Sequence, residues 1–130
     1  MSDVSIYLSG PIANCSDYEK SWWRDMIKEM GFPTIDPCDW NLPEQGTLED
    51  CLTLVTKDKE ALDQSSIVLV YPWKNSFGTS MEILYAYERE KKIITIWDRK
   101  DEPSPWIRVH CTKLVFNWKD AKQAIRELLK

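Results

Sequence analysis

The sequence is poor in the residues on which common cofactor and metal sites depend. It has only four glycines, and none of them forms the GxGxxG or Walker pattern of a phosphate-binding loop. It has a single histidine, His110, and no CxxC pair. These absences exclude a dinucleotide fingerprint, a P-loop and a zinc knuckle. We expect no metal and no organic cofactor, and we expect reduced thiols near the core at Cys15, Cys38, Cys51 and Cys111.

Positive charge and long apolar runs are also scarce. The 17 lysines and arginines face 21 aspartates and glutamates, so the formal net charge is −4. The chain therefore lacks the basic surface that holds a nucleic-acid backbone. No run approaches the ~18 apolar residues of a membrane-spanning helix, and residues 1–4 do not resemble a signal peptide. We expect a cytoplasmic protein with neither a nucleic-acid polymer nor a membrane as its partner.

The chain does contain enough apolar residues for one folded core. Its 130 residues are 43% hydrophobic and 29% charged, a balance typical of globular proteins rather than of disordered ones. Since domains usually hold roughly 100 to 200 residues, this length predicts a single domain over residues 1–130.

Strand patterns and helix patterns alternate along the sequence. Strands are predicted at 4–9, 32–35, 67–71, 93–97 and 113–116, and helices at 16–30, 47–64, 79–91 and 119–129. The segments 37–45 and 98–112 are predicted as loops. The alternation predicts an α/β fold, a flavodoxin-like, doubly wound, five-stranded parallel sheet with helices on both faces and strand 67–71 at its middle.

In such sheets ligands bind beyond the carboxyl ends of the strands, between the first and the third strand. That rule points to the loops 10–16 and 72–79, and to Glu82 just after the second loop. Glu82 has two interpretations. It is spaced from Thr79 as in a TxxE capping box. Alternatively, a carboxylate in the first turn of a helix stays ionised and can act as a nucleophile.

Asp58 interrupts an apolar stripe on the predicted helix 47–64. At about 100° per residue it falls among Cys51, Leu54, Val55, Ala61 and Leu62. A carboxylate on a core-facing stripe needs a partner or a task, and partial burial would raise its pKa toward that of a general acid. The alternative is an aspartate that reaches water or caps another helix. Tyr7, in the first strand, is either a buried core residue or a hydroxyl that reaches the cleft.

Three short motifs carry a family resemblance. The segment Ile6-Tyr7-Leu8-Ser9-Gly10-Pro11, then Asp58 nine residues before Ile67, then Gly78-Thr79-Ser80-Met81-Glu82 resemble the nucleoside 2-deoxyribosyltransferase superfamily. That superfamily includes the 2′-deoxynucleoside 5′-monophosphate N-hydrolases. The resemblance implies that Glu82 attacks C1′ of the sugar, that Asp58 assists departure of the base, and that the Tyr7 hydroxyl orients the nucleophile.

The resemblance also implies a set of substrate-binding positions. They are Gly10, Pro11, Ile12 and Asn14 in the first loop, Ser76 and Gly78 in the second, and Ser104 and Trp106 in a segment that crosses to the neighbouring subunit. Ser76 and Ser104 match the monophosphate hydrolases, because the transferases carry a carboxylate and an asparagine there. The first loop lacks the hydrolases' arginine, whose place Arg108 or the amides near Ser16 would have to take.

Two further interpretations stay open beside the one we favour. The favoured reading is an enzyme that cleaves the N-glycosidic bond of a 2′-deoxynucleoside 5′-monophosphate through a glycosyl ester on Glu82 and releases the free base. It would act on a small nucleotide as a homodimer or larger homo-oligomer with shared active sites. The alternatives are base exchange between free nucleosides, and a non-catalytic nucleotide-binding module on the same sheet.

Overall fold

Five parallel strands form the centre of the molecule in the order β2-β1-β3-β4-β5. The computed structural model describes residues 4–40 and 46–129. Its strands are β1 (Ile6–Ser9), β2 (Thr34–Ile35), β3 (Ile67–Val70), β4 (Lys92–Ile96) and β5 (Lys113–Val115). Every strand pairing is parallel, and the apolar strand β3 is completely buried between its neighbours. The prediction of a flavodoxin-like, doubly wound sheet is confirmed.

Helices cover both faces of this sheet. They are α1 (Asp17–Lys28), α2 (Leu48–Gln64), α3 (Phe77–Glu88), α4 (Pro105–Val109) and α5 (Trp118–Leu128), with a short 3-10 helix at Pro37–Asp39. Ser16 and Thr47 close capping boxes with Glu19 and Asp50, which explains why α1 and α2 begin where they do. No helix within the described ranges is long and apolar enough to cross a membrane.

The two-residue period of β1 sends its side chains to opposite layers. Ile6 and Leu8 pack with residues of α1 and α5 in one buried cluster. Tyr7 packs with residues of α2 and α3 in the other. Because Ser9 follows Tyr7 by two positions, both hydroxyls face the α2 and α3 layer at the carboxyl end of the sheet.

The start of α3 and the segment after β4 differ from the prediction. Helix α3 begins at Phe77 because Ser76 is its N-cap and accepts a hydrogen bond from the Thr79 amide. Thr79 is thus inside the helix, and the TxxE capping box with Glu82 is wrong. The predicted polar loop 98–112 contains α4, which Ser104 caps; a helix of five residues is too short for periodicity to reveal.

The apolar stripe on α2 is shorter than predicted. Ala61 and Leu62 are buried, but Cys51 and Val55 are exposed, because only the second half of the helix packs against the sheet. The four thiols are free, and Cys38 and Cys51 are exposed rather than near the core. The predicted loop 37–45 begins as a 3-10 helix, and its last five residues, 41–45, lie outside the described residues.

Candidate active site

A glutamate from α3 meets two hydroxyls from β1 at the switch point of the sheet. The Tyr7 hydroxyl donates to Glu82 Oε2 at 2.5 Å, and the Ser9 hydroxyl donates to Glu82 Oε1 at 2.7 Å. Both carboxylate oxygens are therefore held, so the rotamer of Glu82 is fixed from a strand more than 70 residues away. A carboxylate that accepts two hydroxyl protons is suited to keep its negative charge.

Asp58, from α2, lies against the same carboxylate. Its Oδ1 is buried and accepts no hydrogen bond from the described residues. Burial and then the negative charge of Glu82 raise the pKa of Asp58 to about 7. Burial also raises the pKa of Glu82, but the Tyr7 and Ser9 hydroxyls and the Arg24 guanidinium oppose that rise.

This asymmetry decides which of the two carboxyl groups holds a proton. Only Glu82 has two hydroxyl donors and a nearby cation to stabilise its charged form. These groups favour the charged form of Glu82, whereas the pKa of Asp58 is raised to about 7, so Asp58 is the carboxyl group of the pair better suited to hold a proton. Burial and the charge of Glu82 raise the pKa of the Tyr7 phenol as well, so Tyr7 remains a proton donor.

Glu82 and Asp58 line a cavity of about 300 Å³ between the first loop, α2 and the start of α3. Its wall is apolar and aromatic on one side and polar at the start of α3, and one cation lies at its edge. The lining residues are Gly10, Ile12, Ala13, Lys20, Pro37, Cys38, Trp40, Leu54, Asp58, Ser76, Gly78, Thr79 and Glu82. A cavity of this size and composition is typical of a site for a small organic molecule.

The structure brings most of the predicted first-loop and second-loop residues to this cavity. Gly10, Ile12, Ser76 and Gly78 line it. Pro11 is buried beside them but is not part of the lining. Asn14 is exposed in a left-handed conformation, with φ of 59°, and its carbonyl accepts a hydrogen bond from Lys74.

Ser104 and Trp106 lie elsewhere in the same chain. They line a second cavity of about 470 Å³ between α3 and α4 that does not include Glu82 or Asp58. Ser76 and Thr79 belong to the walls of both cavities. The Trp106 side chain is 74% exposed and stacks on the His110 ring, with the centroids 5.7 Å apart.

Arg108 and the Ser16 amide, which were among the groups expected to replace the missing arginine, are occupied. The Arg108 guanidinium donates to the Pro103 carbonyl and pairs with Glu102, and it lines neither cavity. The Ser16 amide donates to the Glu19 carboxylate within the capping box. The cations that line the two cavities are instead Lys20, Lys74 and Arg99.

Sequence reasoning missed Ser9, Thr79 and Arg24. Ser9 had a usable signal, because it lies two residues after Tyr7 on one strand and so shares its face. Thr79 lines both cavities with a buried hydroxyl that has no partner in the described residues. Arg24 had no signal in the sequence, since an arginine on an amphipathic helix is usually exposed.

Residues 4–40 and 46–129 include no group of three or more side chains placed to hold a metal ion.

Comparison with known proteins identifies a family model that matches this chain and solved structures that share its fold. The family model described as "Domain of unknown function (DUF4406)" matches residues 4–95. A 2-deoxyribosyltransferase from Bacillus psychrosaccharolyticus superposes with a TM-score of 0.78 at 19% identity, over 92% of this chain and 90% of that one. No curated protein sequence matches the chain.

Two further solved structures share the architecture. A conserved protein from Enterococcus faecalis has a TM-score of 0.76 at 12% identity, over 97% of this chain and 99% of that one. The CMP N-glycosidase of Clostridium botulinum has a TM-score of 0.59 at 20% identity, over 94% and 98%. At these identities the likeness concerns the fold, and it confirms the fold expected from the sequence resemblance.

Proposed function

This chain belongs to the DUF4406 family of domains of unknown function, so its activity has to be inferred from its own site. We propose that it cleaves the N-glycosidic bond of a 2′-deoxynucleoside 5′-monophosphate. The observation that carries the proposal is the pair of carboxyl groups at the switch point. Glu82 is held by two hydroxyls that favour its charged form, and Asp58 opposite it has a pKa raised to about 7. Retaining glycosidases combine a nucleophile and a proton donor in the same way.

In the first step Glu82 attacks C1′ of the sugar. A bond forms between a carboxylate oxygen and C1′, and the bond from C1′ to the base nitrogen breaks with its electron pair going to the base. Asp58 gives its proton to the departing base. The products are a free base, a glycosyl ester on Glu82 and an ionised Asp58.

In the second step water releases the sugar. The oxygen of water attacks C1′, Asp58 takes a proton from that water, and the ester oxygen returns to Glu82 as a carboxylate. The pair carries one negative charge throughout, because Asp58 is ionised only while Glu82 is esterified. A site in which two adjacent carboxyl groups cannot both be charged favours this sequence of states.

The polar groups near Ser76 support a phosphorylated substrate. Ser76 uses an oxygen lone pair as an N-cap, so its hydroxyl proton remains free to donate to a phosphate oxygen. Lys74 and Arg99 line the adjoining cavity, and none of its lining residues is acidic. A 5′-phosphate extending from the sugar past Ser76 would therefore meet donors and positive charge.

Product analysis tests the proposal against its alternatives. The protein is incubated with dCMP, dGMP or deoxycytidine, with and without a free acceptor base, and products are separated by chromatography, with Glu82→Gln as control. We expect free base and 2-deoxyribose 5-phosphate from a monophosphate. An exchanged nucleoside indicates a transferase, and saturable binding without turnover indicates a nucleotide-binding module.

We further propose that the enzyme works as a homodimer. Of the eleven large apolar side chains that are exposed in the described residues, nine lie on α2, α3 and α4. Helix α2 contributes Leu48, Leu52 and Val55 and α3 contributes Phe77, Met81 and Leu84, in both cases at the i, i+4, i+7 spacing of one helical face. A surface of this extent is typical of a protein interface.

The dimer offers a role for Trp106, which does not reach the Glu82 cavity of its own chain. We expect each chain to lend Trp106 and Ser104 to its partner's site. Glu82→Ala and Trp106→Ala chains, each inactive alone, are unfolded and refolded together. Half of the dimers are then mixed and hold one intact site of two, so roughly a quarter of wild-type activity returns. A mixture as inactive as its parents, although mixed dimers form, places the whole site within one chain.

A further inference from the structure

One buried guanidinium, that of Arg24, connects two parts of the site. It hydrogen-bonds both to the end of β1, whose hydroxyls bind Glu82, and to Asp36 beside the cavity wall. Arg24 lies on α1 with a side chain only 1% exposed. Its guanidinium donates to the Leu8 carbonyl at 3.0 Å and to the Gly10 carbonyl at 3.1 Å. It also donates to Asp36 Oδ1 at 2.7 Å. A buried arginine of this kind is rare, because the burial of its charge costs several kcal/mol unless every contact is well made.

Each of the three acceptors belongs to the frame of the site. Leu8 stands between Tyr7 and Ser9, whose hydroxyls hold the Glu82 carboxylate. Gly10 begins the first loop and lines the cavity. Asp36 caps the 3-10 helix by accepting from the Cys38 amide at 2.9 Å, and this helix supplies Pro37 and Cys38 to the cavity wall.

The Gly10 carbonyl accepts its hydrogen bond from Arg24 at a point where the pairing of β1 has ended. β1 ends at Ser9, so Gly10 has passed the last paired residue of the strand. A Cβ at Gly10 would lie 2.7 Å from the Trp23 ring, so the backbone there is pressed against α1. The Arg24 hydrogen bonds hold it at that distance.

We propose that Arg24 is a positioning residue for the Glu82 nucleophile: through the Leu8 and Gly10 carbonyls it fixes the end of β1, and with it the two hydroxyls that orient the carboxylate. This inference rests on the proposed function. The groups that face Glu82 are Tyr7 and Ser9 from β1, Asp58 from α2 and Arg24 from α1, and Arg24 is the positively charged group among these four. The guanidinium therefore also favours the charged form of Glu82.

Lys28 provides a matched control on the same helix. Its ammonium pairs with Asp36 Oδ2 at 2.8 Å, as the Arg24 guanidinium pairs with Oδ1, and its other hydrogen bonds in the described residues go to Asp39 rather than to β1 or the first loop. Lys28→Met therefore removes a cation from Asp36 and leaves the tether intact. Arg24→Met removes both a cation and the tether, and Arg24→Lys keeps the charge with fewer donors.

The test compares turnover of a deoxynucleoside monophosphate by these variants across pH. We expect Arg24→Met to lower kcat about ten- to hundredfold, as a displaced nucleophile does, and to move the acid limb of the profile to higher pH. Arg24→Lys falls between Arg24→Met and wild type, and Lys28→Met stays within about twofold of wild type. Equal losses in Arg24→Met and Lys28→Met would overturn the proposal, since the unpaired Asp36 would then be responsible.

A measurement without turnover separates this inference from the proposed function. In protein labelled with carbon-13 at glutamate carboxyl groups, the Glu82 signal is assigned by its loss in Glu82→Gln and titrated by NMR. We expect its pKa to be higher in Arg24→Met, or in Arg24→Lys if the methionine variant does not fold. A wild-type chain that cleaves no substrate refutes the proposed function alone. An unchanged titration in a folded Arg24 variant refutes the positioning role alone.

Discussion

Asp58→Asn should stabilise the fold, and by an amount that depends on pH. The folded-state pKa of Asp58 is raised to about 7 from an ordinary value of 3.8. Between these two values the folded chain holds a proton that the unfolded chain has released. Stability therefore falls as pH rises through this interval, and the loss is complete above about pH 7.

The size of the effect follows from the same pair of values. A pKa raised from 3.8 to about 7 corresponds to about 4 kcal/mol of lost stability above pH 7, and because Asp58 is only partly buried we expect about 2 to 4 kcal/mol. Asparagine has nearly the same shape and never ionises, so the variant escapes that loss. We expect wild type and Asp58→Asn to be close in stability at pH 4 and to differ by about 2 to 4 kcal/mol at pH 8.

Urea unfolding followed by circular dichroism at pH 4, 6 and 8 measures the difference as a change in midpoint at constant slope. Glu60→Gln is the matched control, because Glu60 lies two residues away on α2 and is exposed; we expect it to change stability by less than about 0.5 kcal/mol at each pH. The reasoning fails if Asp58→Asn is less stable than wild type at pH 8, because Asp58 would then be a satisfied charge rather than a strained one.

Three further predictions concern activity. Glu82→Gln keeps the size of the side chain and loses the attacking charge, so turnover falls by orders of magnitude while the melting temperature changes little; a folded, fully active variant contradicts the nucleophile assignment. Asp58→Asn slows cleavage of natural bases far more than that of an activated aryl leaving group, which needs no proton; equal slowing leaves Asp58 only a positional role. Ser76→Asp keeps an N-cap residue but repels phosphate, so KM rises for monophosphates and not for free nucleosides; steady-state kinetics on both substrates checks this, and a wild-type preference for free nucleosides favours the transferase reading.

Local signals in the sequence determined most of the fold. Helices α1 and α2 begin directly after Ser16 and Thr47, where the sequence predicts their starts, because a capping box is made by residues three positions apart. The apolar strand β3 and the alternation of strands with helices led to the correct sheet order, since crossover connections between parallel strands allow few topologies. The five-residue helix α4 could not be predicted from the sequence, because a helix shorter than two turns shows no helical periodicity.

The sequence by itself determined which residues are candidates for chemistry, and the tertiary structure decided what surrounds them. The local pattern predicted Thr79 as the cap of α3, paired with Glu82. In the structure Ser76 is the cap, and the Glu82 carboxylate is bound by Tyr7 and Ser9 from β1 instead of by the start of its own helix. The burial of Arg24 was likewise invisible, since only packing brings the Leu8 and Gly10 carbonyls and Asp36 around one guanidinium. Periodicity and capping are interactions of neighbours along the chain, whereas the charge of Glu82 and the proton on Asp58 depend on groups that meet only in the folded sheet.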